Sequence, residues 1–136
     1  GFDAIAGAME LLRELHSMQL KVAIVSGAVR DSVLNTVQCN GLASMLSAVV
    51  TASDVAVNKP APDGYLQALD RLGVTAEEAI AIEDSASGIA SAKAAGLTCF
   101  AIHHDYISLS SLASADRVFN THAEVRECLL GLIGTR

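Results

Sequence analysis

Basic residues are scarce in this sequence. Nine lysines and arginines stand against fifteen aspartates and glutamates, a formal charge of −6, which leaves no clustered positive face of the kind nucleic acid requires. Long hydrophobic runs are missing as well. Stretches such as Val22-Ala23-Ile24-Val25 fall far short of the roughly 18 apolar residues that cross a membrane. Cysteine is sparse: Cys39, Cys99 and Cys128 are odd in number, widely spaced and set among apolar neighbours. No zinc or redox pair can be read from that spacing, and a reducing, cytoplasmic setting is expected. Neither Gly-x-Gly-x-x-Gly nor a Walker lysine loop occurs, so the usual nucleotide-binding signatures are absent. The chain shows no charged-then-apolar leader, which reads as no targeting signal. It opens on Gly1 rather than methionine, which reads as a processed or excised piece.

What is present suffices for a packed domain. At 136 residues and 51% hydrophobic, the chain has one domain's length and a sizeable core rather than a disordered composition. Ile5, Met9, Leu11, Leu12, Leu15 and Met18 recur at helical spacing over 5–18. The short apolar run at 22–25 then reads as a strand buried on both faces. The same alternation predicts helices over 29–38, 62–72 and 86–95, and strands over 47–51, 79–82 and 98–102. A weaker strand near 117–120 and a closing helix over 122–133 complete the pattern. Punctuation agrees: Pro62 and Asp63 suit a helix start, Gly73 and Gly96 suit helix stops, and Thr75-Ala76-Glu77-Glu78 has capping-box spacing. Strands alternating with helices imply an α/β, Rossmann-like parallel sheet with helices on both faces, in a single domain over 1–136.

Ligands of open parallel sheets bind beyond the carboxyl ends of the strands. The residues that follow each expected strand are therefore the candidates. Ser26-Gly27 follows the first; it can offer a hydroxyl and backbone N–H groups to phosphate oxygens, or be an ordinary turn with a serine cap. Lys59, stiffened by Pro60 and Pro62, can act as a point charge on an anion or a neighbouring carboxylate, or be a surface lysine before a helix. Glu83-Asp84 ends the third strand. Two adjacent carboxylates there would repel each other and lose hydration, which suits the hard oxygen ligands of Mg²⁺. The alternative is a pair of acids complementing a helix dipole, with Ser85 or Ser87 as cap and Gly88 admitting close backbone approach. His103 and His104 read as an exposed loop pair, and His122 as a helix-start residue.

In order, these segments resemble motifs two, three and four of the haloacid dehalogenase superfamily, closest to the β-phosphoglucomutase and phosphoglycolate-phosphatase type. The residues that carry the likeness are Val22-Ala23-Ile24-Val25-Ser26-Gly27, Asn58-Lys59-Pro60-Ala61-Pro62-Asp63, Ile82-Glu83-Asp84-Ser85-Ala86-Ser87-Gly88-Ile89 and Ala92-Lys93-Ala94-Ala95-Gly96-Leu97. The resemblance implies an Mg²⁺-dependent phosphatase or phosphomutase for a small phosphorylated metabolite, in which one aspartate attacks the phosphoryl group and a second, two residues on, is the general acid/base. Ser26, Gly27 and Lys59 would hold the phosphate, with Ser26 and Lys59 in catalytic roles, and Glu83 and Asp84 would bind Mg²⁺. Positioning and charge neutralisation are what phosphoryl transfer asks of a protein.

One part of the resembled pattern is missing. No Asp-x-Asp occurs in these residues, and neither does the cap that follows it in the family. The chain thus reads as the C-terminal core of a longer enzyme, inactive alone and weak or lacking in Mg²⁺ binding. The alternative is a naturally truncated, non-catalytic phosphate- or protein-binding module. An unrelated receiver or nucleotide-binding fold would not explain Lys59 together with Glu83-Asp84. In the resembled fold the missing strand lies between those ending at Ser26 and Glu83. Its absence predicts closure of the two strands on each other, a homo-oligomer, or a complementing N-terminal chain.

Overall fold

Strands and helices alternate as the apolar periodicity requires. The computed structural model describes residues 2–105 and 107–134, with side chains for 8–105 and 107–133. In chain order the elements are α1 (Phe2–Ser17), β1 (Ala23–Val25), α2 (Arg30–Cys39), β2 (Ala48–Val50), α3 (Asp63–Leu72), β3 (Ile80–Glu83), α4 (Ala86–Ala94), β4 (Thr98–Ile102), β5 (Arg117–Phe119) and α5 (His122–Gly134). Each falls within a few residues of its expected bounds. Short 3₁₀ turns at Ala43–Met45, Ala52–Asp54, Ala76–Glu78 and Leu109–Leu112 were not legible from the pattern. The side chain of Ile5, the first residue of the expected apolar stripe, lies outside the described residues.

Local chemistry sets the ends. Thr75 and Glu78 form the expected capping box, and Ser85 caps α4 by accepting from Gly88 N at 3.1 Å. Gly73 closes α3 in the left-handed region at φ +68°, where a Cβ is disfavoured. A second capping box, Thr51 with Asp54, went unrecognised in the sequence.

All the strand pairs are parallel, but they form two sheets: β1 with β2, and β3 with β4 and β5. Closure of β1 onto β3, one of the expected alternatives, does not occur. Packing on both faces holds the two strands apart. On one face, α1 sends Met9 and Leu12 into a cluster with Val33 and Val37 of α2, and Leu11 and Leu15 into another with Val125 and Leu129 of α5. On the other, Tyr65 and Leu69 of α3 share a cluster with Ile89 and Ala92 of α4, Val25 of β1 and Ala81 of β3. Helices thus bridge the gap from above and below.

A consequence corrects the sequence reading of residues 22–25. β1 is half-buried throughout rather than buried on both faces, because one of its edges has no strand beside it among the described residues. β4, paired on both sides, is buried from Cys99 to Ile102. Among the described residues, no helix is long and apolar enough to cross a membrane.

Candidate functional site

The C-terminal ends of β1 and β3 flank the gap, and an open cleft of about 510 Å³ lies there. Ser26, Gly27, Asn58, Lys59, Glu83 and Asp84 all line it. Residues far apart in the chain meet because parallel strands present all their carboxyl ends on one edge.

Lys59 spans the gap. Its ammonium donates to Glu83 Oε1 at 2.6 Å and to Val25 O at 3.0 Å, and it sits 5.4 Å from the centre of the Tyr65 ring. An ammonium has three protons. Two are used in joining one sheet to the other, and the side chain lines the cleft.

Glu83 and Asp84 do not crowd each other as the sequence suggested. Successive strand residues point to opposite sides, so Glu83 turns inward, with its side chain 8% exposed, while Asp84 turns outward at 68%. Glu83 Oε1 accepts from Lys59 and from the Tyr65 hydroxyl. Burial first, and then the charge of Glu83, pushes the Tyr65 phenol well above its ordinary range, so it stays protonated and remains a donor. Beneath the carboxylate lies Gly88, where any Cβ would overlap it. Burying an ion pair is costly unless its remaining valences are met. Here the Tyr65 phenol helps to meet them.

Asp84 has His104 Nε2 at 3.9 Å from its Oδ2. Ser26 is held to β2 by its N–H on Val50 O at 2.9 Å, and its Oγ accepts from Ala28 N at 3.1 Å. That use leaves the hydroxyl proton for an oxyanion. Ser26 does not cap the following helix, contrary to one reading of the turn: α2 begins at Arg30, and Val29 at its cap makes no side-chain bond. At Gly27 an added Cβ would meet nothing, so no packed contact requires glycine there. His103 and His104 follow β4 in a loop, and His122 opens α5.

Hard carboxylate oxygens at the cleft edge are the donors Mg²⁺ selects, and it takes one or two of them alongside water and phosphate. Asp84 fits this directly. Glu83 lines the same cleft, but one of its oxygens is already committed. Among the described residues, no group of three or more His, Cys, Asp or Glu side chains is placed to hold a metal, so these two carboxylates alone would not complete a coordination shell. Cys99 offers no nucleophile: burial first, then nearby Glu83 and Asp116, pushes its thiol up to about 11.

Two participants were missed in the sequence, Tyr65 and Ser91. Tyr65 reads there as one more apolar residue on a helix. Ser91 Oγ donates to Ala61 O at 2.6 Å, and a lone serine in an alanine-rich helix gives no sign of such a contact.

Fold and cleft together define a class: a parallel α/β core that carries a lysine–carboxylate pair and an exposed aspartate at its strand ends. The chain belongs to the haloacid dehalogenase-like hydrolases, whose family model matches residues 2–102. It is 36% identical over 124 residues to the validoxylamine A 7′-phosphate phosphatase of Streptomyces hygroscopicus subsp. limoneus, covering 90% of this chain and 57% of that protein. To protein CbbY of Rhodobacter capsulatus it is 31% identical over 115 residues, 82% of this chain and 51% of the relative. Among solved structures, CbbY from Rhodobacter sphaeroides in complex with phosphate superposes with a TM-score of 0.81 at 30% identity, over 88% of this chain and 54% of that one. A phosphatase from Thermococcus onnurineus gives 0.80 at 30% identity, over 88% and 55%. The chain thus spans little more than half the length of these relatives.

Proposed function

We propose that this chain is the phosphate-holding part of an Mg²⁺-dependent phosphatase or phosphomutase for a small phosphorylated metabolite, working in the cytoplasm and inactive alone. The observation that carries the reading is the Lys59 ammonium. It is fixed by Val25 O and Glu83 and lines a cleft shared with the Ser26 hydroxyl and Gly27. A fixed cation beside a free hydroxyl matches the oxygens of a phosphate. Asp84, backed by Glu83, would hold Mg²⁺, which when bound supplies further charge neutralisation to the phosphate. A relative that acts on a phosphate ester and another crystallised with phosphate support the same chemistry.

The nucleophile must come from outside these residues, since no Asp-x-Asp is among them. Losing a covalent nucleophile costs about 10⁶ in kcat in a well-studied hydrolase. The gap between β1 and β3, with two facing unpaired edges, suits one further parallel strand. An upstream segment of the same protein or a complementing chain could supply both that strand and the nucleophile; a second copy of these residues could fill the gap but would bring no Asp-x-Asp.

Titration with inorganic phosphate, followed by ³¹P NMR with and without Mg²⁺, tests the site. The intact chain should bind phosphate, and Lys59→Met should weaken binding by about tenfold or more, the scale of one charge-assisted hydrogen bond. Equal binding by the two proteins would sink the phosphate reading. Hydrolysis of p-nitrophenyl phosphate should be no faster in the intact chain than in Lys59→Met; Mg²⁺-dependent turnover abolished by that substitution would overturn the claim of inactivity.

A further inference from the structure

We propose that Ser91 is a positioning residue for Lys59, acting through the backbone of the 58–62 loop. The proposal rests on the phosphate reading only in taking Lys59 as the group that meets the oxyanion. That loop must place a cation accurately, yet it has few means of holding itself. Pro60 and Pro62 carry no N–H, and the internal tie is Ala61 N to Asn58 O at 3.0 Å. Ser91 supplies an anchor from α4: its hydroxyl, fully buried, donates to Ala61 O at 2.6 Å.

Neither local preference nor packing calls for a serine there. Alanine is the better helix former, and a buried hydroxyl is costly unless bonded. A serine inside a helix usually faces solvent or bonds back to the carbonyl four residues earlier; this one reaches a loop 30 residues away. Its place on the helix gives it a purpose. Gly88 and Ser91 are three residues apart and so share one face of α4. Gly88 lies beneath the Glu83 carboxylate and Ser91 bonds to Ala61. A single rigid helix face therefore sets both partners of the 2.6 Å Lys59–Glu83 pair.

The experiment compares Ser91→Ala, Ser91→Thr and, as a control, Val125→Ala, which opens a cavity in the cluster beneath α5 on the opposite face. One readout is hydrogen exchange of the Lys59 ammonium by ¹H–¹⁵N NMR, assigned by its loss in Lys59→Met. The other is affinity for inorganic phosphate. Ser91→Ala should speed ammonium exchange and raise the phosphate Kd by about five- to tenfold, as expected for one ordinary hydrogen bond. Ser91→Thr, which restores the hydroxyl, should recover both, and Val125→Ala should leave both unchanged despite a lower Tm.

If Ser91→Ala alters neither readout, or no more than Val125→Ala does, Ser91 is only a core residue and the proposal fails. That comparison decides the matter even if the extra methyl of Ser91→Thr is not tolerated. Should the unmodified chain bind no phosphate, the phosphate reading falls, while ammonium exchange still decides the role of Ser91.

Discussion

Glu83 organises the cleft from a position that leaves it almost no freedom. Lys59 and Tyr65 hold Oε1, and Gly88 leaves room only because it has no side chain. Gly88→Ala sets two effects against each other. Helix propensity gains up to about 1 kcal/mol. The new methyl would strike a carboxylate pinned by two donors, however, and overpacking costs about 1–3 kcal/mol. Net destabilisation of about 1–2 kcal/mol is expected from urea unfolding, with phosphate binding weakened as Glu83 and Lys59 are displaced. Two carboxylates, the largely covered Asp54 and the exposed Asp116, contribute to the response to acid. Hydrogen bonds from the Thr51 backbone and side chain hold Asp54 below its ordinary 3.8. The Lys93 side chain, then the Cys99 N–H, does the same for Asp116. A carboxyl with a depressed folded value stabilises fully above its unfolded value, and that stability is lost as pH falls through the folded one. Melts should therefore fall below about pH 4 as these two protonate; Asp54→Asn should flatten that fall while lowering Tm at pH 7. An earlier decline, below about pH 6.5, is expected from His122, which burial holds below its ordinary 6.5 so that the unfolded chain takes up its proton first. Lys59 and Glu83 were legible as candidates, and a carboxylate partner was one expected reading of Lys59; that the partner is Glu83 was not legible, because the contact joins the 58–62 loop to the end of β3, 24 residues along the chain.

Elements were the most legible scale, since their boundaries follow local rules. Gly73 after Leu72, the Thr75–Glu78 box and Ser85 before α4 each satisfy the groups that a helix end leaves unpaired. Gly73→Ala isolates one such rule. A Cβ there would touch nothing, so only the φ of +68° opposes it. A loss of about 1 kcal/mol is expected by urea denaturation, with phosphate affinity unchanged because the α3 C-terminus lies away from the cleft; a larger loss would mean the end of α3 relaxes as a unit. What local rules missed was β1. An apolar run of four residues is compatible with burial on both faces, but burial depends on which strands lie alongside.

For the whole molecule, the division into two sheets is the governing fact. Among the described residues, edge amides that face the β1–β3 gap have no strand partner, while β4 is paired on both sides. Exchange protection tracks such pairing. Slot-facing amides of Ala23–Val25 and Ile80–Glu83 should therefore exchange at least about a hundredfold faster than those of β4, by NMR hydrogen exchange. A peptide or longer chain that seats a strand in the gap should remove the difference. Uniform protection of β1 and β4 in the isolated chain would mean that the gap closes in solution.

The order of strands and helices, the parallel sheet and the residues at each strand end were determined by the sequence itself, because apolar periodicity and cap chemistry act over a few neighbouring positions. The tertiary structure alone decided that Glu83 turns inward to Lys59 and Tyr65 while Asp84 faces water, that Ser91 grips Ala61, and that β1 and β3 stay apart. Those outcomes depend on packing between segments distant in the chain, which no local pattern encodes.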